Sequence, residues 1–345
     1  MLDTLLGVAQ ETPKFWGGFR FPLLTGLIAL LITWGLTPLV RMLAFKYGAV
    51  DDPKRDDRRI HKEPLPRWGG IAIYVGTTVA ILSILPFAYP NSTQYPLYLI
   101  GMVVIGLGLV IAGVLDDLYQ YSAKIQLLIL LAAGVAIQYF AGDLGQVQIK
   151  SVGNPFNDGY FVFAQWAAIP LTAIYIFVVT KTMDTIDGVD GLASGIAAIS
   201  AGTLMTIAVY EGQPRVAIIA AAVAGACIGF LRHNYNPAKI IMGTGGAYIL
   251  GFMLACLSIV GAVKTAAALT LIIPIFVFGV PIFDAIQVVI RRKLCGVPIT
   301  QADKRHLHHQ LLKKGLTQRQ TVWVLYLAAA ALCGTLIFII LQKNG

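Results

Sequence analysis

The feature that most constrains this chain is a series of long apolar runs. A helix needs about 20 mostly apolar residues to cross a bilayer. Such runs lie near 21–44, 69–89, 97–115, 124–141, 166–181, 189–209, 215–231, 245–262, 266–290 and 322–341. The run at 166–181 is short, and that at 266–290 is long enough to tilt. Only 12% of the residues are charged, against about 25% in a soluble domain. The sequence therefore predicts an all-α integral membrane protein of about ten transmembrane helices, with one polytopic domain over 1–345. Residues 1–20 lack a basic start, a short apolar core and a small-residue cleavage site, so the first apolar stretch is expected to stay as an anchor. Between 146 and 164, QVQIKSV and YFVFAQW flank the turn-rich GNPFNDG, which predicts a small extracytoplasmic β-hairpin.

The formal charge of +9 raises nucleic acid as a partner, but its distribution argues against one. With ten spans the loops alternate sides. One side keeps only Lys14, Arg20, Lys150, Arg215, Lys264 and Lys343 of the 26 basic residues. The remainder crowd the loops 46–67, 116–123, 182–188, 232–244 and 291–321 and the span ends beside them. The positive-inside rule makes that second face cytoplasmic and puts both termini outside. Membrane lipids are then the default partners, with anionic headgroups attracted to the basic face. Cys227, Cys256 and Cys333 lie in spans and Cys295 in a basic loop. They form no CxxC pair, so neither a disulfide framework nor a metal site is indicated.

The unusual polar residues gather on the basic face. GVLDD puts Asp116 and Asp117 at the inner end of the third span. KTMDTIDGVDG joins the fifth and sixth spans and spaces Asp184, Asp187 and Asp190 by three. If that stretch is helical, the three carboxylates share one side. Carboxylates this close repel unless neutralised. An all-oxygen set with open positions suits Mg2+ or Mn2+, completed by substrate phosphates. Ionisable residues at span edges are functional by default. HxHH at His306, His308 and His309 follows Lys304 and Arg305. On a helix His306 and His309 share a face while His308 points away, so phosphate handling fits better than zinc. IMGTGGAYILG, with Gly243, opens the eighth span, where backbone N–H groups can hold an anion. PRWGG, with Arg67, ends the first inner loop. Together these residues describe a cation site where a phosphorylated cytosolic substrate meets a membrane-resident one. A transporter would instead place its ionisable residues near the bilayer midplane, on broken helices.

At these residues the chain resembles the polyprenyl-phosphate N-acetylhexosamine-1-phosphate transferase family, from about His61 to Gln342. GVLDD is similar to the family's paired-aspartate motif, IDGVDGLASG to its most specific block, and ADKRHLHHQLLKKGLTQRQ to its histidine loop. PRWGG and RHNYNPAKIIMG match two further segments, and HLHH with PRWGG resembles the branch that uses simpler UDP-sugars. A sister branch, with three adjacent histidines, makes the peptidoglycan precursor from UDP-N-acetylmuramoyl pentapeptide. The resemblance implies a bacterial plasma-membrane enzyme of ten or eleven spans with its active site on the cytoplasmic face. Its partners would be a UDP-N-acetylhexosamine and a polyprenyl phosphate, with Mg2+ as cofactor and UMP as leaving group.

Two motifs depart from the family pattern. Lys181 and Asp184 replace its Asn-x-x-Asn, and Thr244 replaces the aspartate of its Gly-Asp-Thr-Gly-Ser element. Asp184 is expected to restore the missing charge. The expected metal ligands are therefore Asp184, Asp187 and Asp190. Asp116, Asp117, Asp187 and Asp190 form the expected catalytic set. Lys124, Lys181, Arg67, Gly243, Arg305, His306, His308 and His309 are expected to bind substrate. Direct attack and double displacement, the identity of the sugar and the oligomeric state, a homodimer included, stay open.

Overall fold

Helix ends fall within a few residues of most of the apolar runs that specify them. The computed structural model describes residues 15–51, 63–89, 95–153, 159–262, 273–296 and 306–344. In order the helices are α1 (Phe15–Lys46), α2 (Gly69–Ala88), α3 (Leu97–Tyr119), α4 (Ala123–Ala136), α5 (Gln165–Ile186), α6 (Leu192–Tyr210), α7 (Pro214–Asn234) and α8 (Gly243–Ala262). They are followed by α9 (Gly279–Leu294), α10 (Leu307–Lys313) and α11 (Gln318–Asn344). Residues 273–277 are also helical and run into α9 through a turn at Phe278. Among the described residues, eight helices are long and apolar enough to cross a membrane: α1, α2, α3, α5, α6, α7, α8 and α11. The chain is a multi-pass, mainly helical membrane protein. The expected spans at 124–141 and 266–290 correspond to the shorter α4 and to a segment of which 263–272 lies outside the described residues.

Two small sheets complete the described chain. Strands β1 (Val50–Asp51) and β2 (Leu65–Pro66) pair antiparallel, with Asp51 opposite Leu65. Strands β3 (Ser151–Gly153) and β4 (Tyr160–Val162) pair antiparallel, with Val152 opposite Phe161. The latter pair falls inside the segment where the sequence predicts a hairpin.

Burial ranks the helices from centre to rim. The apolar window of α8 is 89% buried, against 28% for α1 and α11. Helix α8 packs on α2, α3, α5, α6 and α7. The rim turns Leu23, Trp34, Leu128 and Leu327 outward, as expected where the solvent is lipid. Small residues let the backbones close up. A Cβ on Gly225 or Gly229 would overlap the backbone of Gly26 or Leu30 across the α1–α7 contact, the close packing that small residues allow between membrane helices. The same device sets the start of α8. A Cβ on Gly70 would overlap Gly246, and one on Gly113 would overlap Gly245. Helices α2, α3 and α8 therefore converge at one end of the bundle, where α5 and α7 also finish.

Candidate active site

The site is assembled where α3, α5 and α7 end and α2, α6 and α8 begin. Asp117, on the last turn of α3, is buried. Its Oδ1 accepts hydrogen bonds from Arg67 Nη1 at 3.0 Å and from the Thr244 backbone N–H at 3.1 Å. Arg67 reaches it because the β1–β2 pairing brings Arg67 beside Asp51, to which its Nη2 also pairs. The next residue, Trp68, is held at φ 78°, a left-handed conformation that costs energy for a non-glycine residue. PRWGG docks onto the segment before α8 through Gly70 N–H to the Met242 carbonyl at 2.9 Å and Ile241 N–H to the Pro66 carbonyl at 3.0 Å.

The helix start expected to hold a substrate anion thus holds the chain's own carboxylate. Gly243 has φ +72°, and a Cβ there would overlap Asp117 Oδ2. Glycine at this position lets Asp117 reach the N-terminus of α8. Asp117 Oδ2 is buried with no hydrogen-bond partner, which is costly unless a ligand uses it.

Asp116 is buried as well, and belongs to a second network. Its Oδ1 accepts the Tyr121 N–H at 2.8 Å, and both oxygens lie 3.2 Å from Gln126 Nε2. Gln126 Oε1 accepts a hydrogen bond from Lys181 Nζ at 2.8 Å, and Lys181 pairs with Asp184 at 2.6 Å. Gln126 therefore ties α3 to α5 through α4. Lys124, two residues before Gln126 at the start of α4, is exposed.

The three evenly spaced aspartates do not lie on one helix. Helix α5 stops at Ile186, with Asp187 as its C-cap, and 187–191 form turns before α6. Gly191 at φ +80° starts α6 in a conformation that favours glycine. The break separates the roles of the carboxylates. Asp184 faces Lys181. Asp190 Oδ2 accepts Asn236 Nδ2 at 2.9 Å and the Ala238 N–H at 3.0 Å. No described side chain bonds to the Asp187 carboxylate. Burial pushes Asp187 well above the usual carboxylate range, and the neighbouring charges of Asp184, Asp117 and Asp190 add to it while Arg67 opposes them. Asp187 therefore stands within electrostatic reach of Asp117, and together they offer two carboxylates to a cation.

The histidine loop closes over the same turn. His306 is the N-cap of α10, so His306 and His309 are not two residues of one regular helical face. His308 does not point away from the site, as a regular helix would require. It is buried, stacks on the His306 ring at 5.7 Å and lies 4.4 Å from the His309 ring. Its Nε2 would stand 2.8 Å from a Cβ on Gly188, beside Asp187. Burial pushes His308 down to about 3, with help from His309. The imidazole is therefore neutral at neutral pH and donates one N–H without adding charge. Arg305 lies outside the described residues.

Four residues that the sequence reading did not place in the site belong to its frame. Asp284 on α9 is buried; its Oδ2 lies 2.7 Å from His306 Nδ1 and its Oδ1 accepts the Leu307 N–H at 2.6 Å. Asn234 accepts hydrogen bonds from the Gly191 N–H and the Ser194 hydroxyl. Gln126 is described above. Tyr248 of α8 is fully buried, its hydroxyl has no hydrogen-bond partner, and it lies within electrostatic reach of Asp184, Asp116 and Asp117. Of these, Asp284, as an acid near the inner end of a span, and Asn234, within RHNYNPAKIIMG, gave a signal in the sequence.

Comparison with known proteins adds a second line of observation. The profile of "Glycosyl transferase family 4" matches residues 99–262, a stretch that includes every aspartate from 116 to 190 discussed above. The probable undecaprenyl-phosphate N-acetylglucosaminyl 1-phosphate transferase of Bacillus subtilis is 37% identical over 301 residues, covering 87% of this chain and 80% of that protein. The decaprenyl-phosphate N-acetylglucosaminephosphotransferase of Mycolicibacterium smegmatis is 34% identical over 328 residues, covering 88% and 78%. The undecaprenyl-phosphate alpha-N-acetylglucosaminyl 1-phosphate transferase of Escherichia coli K12 is 28% identical over 306 residues, covering 85% and 77%.

Proposed function

This chain belongs to glycosyl transferase family 4 and is a phosphoglycosyl transferase, and we propose that it moves N-acetylglucosamine-1-phosphate from UDP-N-acetylglucosamine to a polyprenyl phosphate. An oxygen of the lipid phosphate forms a bond to the β-phosphorus of the donor. The bond from that phosphorus to the bridging oxygen breaks, and UMP leaves with the electron pair. The observation that carries this reading is the convergence of Asp117, Asp187 and the His306–His308 pair at one end of the bundle.

Phosphoryl-type displacement depends mainly on positioning and charge neutralisation. Asp117 Oδ2 and Asp187 would hold Mg2+ (or Mn2+), with Asp184 and Asp190 completing the negative shell behind them. No cluster of three His, Cys, Asp or Glu ligands exists among the described residues. Two carboxylates suffice, because Mg2+ commonly takes one or two and fills its shell with water and substrate phosphate. When bound, the metal would supply neutralisation of the donor diphosphate. We assign Asp116 to orient the lipid phosphate or accept its remaining proton, with Lys124 nearby to bind that phosphate. Lys181 and Arg67 face the donor diphosphate. His306, His308, His309 and Arg305 bind the sugar-nucleotide phosphates and the departing UMP. Crowding of basic residues at this end supports a cytoplasmic active site in a bacterial plasma membrane, with both termini and the β3–β4 sheet outside. Downstream, the lipid-linked sugar would start a cell-envelope glycan such as teichoic acid or lipopolysaccharide.

The donor assignment is tested with purified protein, undecaprenyl phosphate and a panel of UDP-sugars, with the lipid product read by mass spectrometry. UDP-N-acetylglucosamine is expected to give the diphosphate-linked sugar fastest. A preference for UDP-N-acetylmuramoyl pentapeptide would move the chain to the peptidoglycan branch.

A further inference from the structure

A cavity of about 870 Å³ opens at the end of the bundle opposite the aspartates. Its volume is near the top of the range of about 300–1,000 Å³ found for small-molecule sites. The mouth is polar: Tyr89, Gln148, Lys150, Gln213 and Arg215 line it. The walls are otherwise largely apolar, with Leu171, Val216, Ile259, Ile275 and Ile282 among them. Tyr175 marks its inner extent and is hydrogen-bonded to Ser258 at 2.7 Å. Tyr175 is ten residues into α5 from Gln165, which places it about 15 Å below the helix start at 1.5 Å per residue. That depth is about half of the roughly 30 Å hydrocarbon core, the thickness of one leaflet.

Hydrogen bonding at the mouth leaves two groups over. Gln148 Nε2 donates to Gln138 and Gln213 Nε2 donates to the Gly261 carbonyl. The Arg215 guanidinium lies 5.0 Å from the Tyr89 ring centroid, and no carboxylate pairs with it among the described residues. The Tyr89 hydroxyl is buried with no hydrogen-bond partner. Cations at the rim, Arg215 and Lys150, over a largely apolar wall that reaches Tyr175, match an amphiphile with an anionic head. A soluble anion would leave the shaft without an occupant.

We propose that this cavity binds an anionic glycerophospholipid from the leaflet opposite the active site. Its phosphate sits at Arg215 and Lys150, and its acyl chains run along α5, α8 and α9. The site is separate from the transfer site, since it opens at the other ends of α5, α7 and α8, and it does not depend on the reaction assigned above.

The test uses the full chain in phosphatidylcholine nanodiscs with a photoreactive phosphatidylglycerol carrying its label on the acyl chain. Crosslinks are expected on the deep wall, around Leu171, Tyr175 and Ile282. Unlabelled phosphatidylglycerol should compete and phosphatidylcholine should not. Arg215→Gln should weaken phosphatidylglycerol labelling about tenfold, the loss of one charge-assisted contact. Leu171→Trp, which fills the shaft, should abolish labelling while UMP release persists. A thermal melt of each variant confirms that it is folded. Equal competition by phosphatidylcholine, or unchanged labelling in both variants, would overturn the proposal. So would displacement of the probe by undecaprenyl phosphate but not by phosphatidylglycerol, which would assign the shaft to the carrier-lipid tail.

Discussion

Replacing Asp284 by alanine separates the histidine loop from the membrane helices. Asp284 is 2% exposed and its two oxygens serve His306 Nδ1 at 2.7 Å and the Leu307 N–H at 2.6 Å. Hydrogen bonds to a charged group contribute about 1.5–3 kcal/mol each. At the lower figure for both, docking of the loop weakens by about 3 kcal/mol, which is roughly a hundredfold. The cost falls on placing His306 and His308 over Gly188, so kcat/KM for the UDP-sugar should drop about a hundredfold. Asp284→Asn keeps an acceptor for the Leu307 N–H and offers an N–H to His306 in its other tautomer. It should recover about tenfold of that loss. The assay is UMP release per folded molecule, with folding scored by a thermal melt in the same detergent. If Asp284→Ala kept kcat/KM within about threefold of wild type per folded molecule, the anchoring role would be refuted.

Three other outcomes follow from the geometry. Gln126→Leu cuts the bridge between Asp116 and Lys181 and should lower kcat about tenfold or more, while Gln126→Glu still accepts from Lys181 but places a second carboxylate against Asp116. His308 titrates near 6.5 when unfolded and is held down to about 3 when folded, so between those values the unfolded chain binds the extra proton. Its contribution to stability is therefore lost as pH falls through about 6.5, and urea or thermal melts of His308→Gln should show a shallower acid slope than wild type. Asp187 is pushed up by burial and by Asp184, Asp117 and Asp190, so the fold disfavours its charge; Asp187→Asn should raise the melting temperature while abolishing transfer, the exchange of stability for activity expected at such a site.

Much of the architecture was legible because bilayer-length apolar runs can hardly be anything else. The eight described spans each fall on a run read from the sequence, and α4 is shorter because apolar residues alone do not state a helix's length. The chemistry was legible as clusters, since acids and histidines are costly inside such a chain. Their division of labour was not. A spacing of three suggests a helical face, yet α5 stops at Ile186 and Gly191 starts α6, so Asp184, Asp187 and Asp190 fall on different elements. Partner choice crosses large separations: Arg67 with Asp117, Gln126 with Lys181, His306 with Asp284. No periodicity encodes those pairs. Tyr248 lies in IMGTGGAYILG, but nothing in that pattern marks its hydroxyl. Only the packing of α8 at the centre of the bundle brings its hydroxyl near the carboxylates.

The central claim is that Asp117 and Asp187 form the charge-bearing centre of a lipid-dependent phosphoglycosyl transfer. Its most direct test is UMP release from UDP-N-acetylglucosamine by purified wild type, Asp117→Asn and Asp187→Asn, with and without undecaprenyl phosphate and with EDTA. Release by wild type alone, only with the lipid, and stopped by EDTA is the expected result. Lipid-independent release, or full activity in either folded aspartate variant, would contradict it.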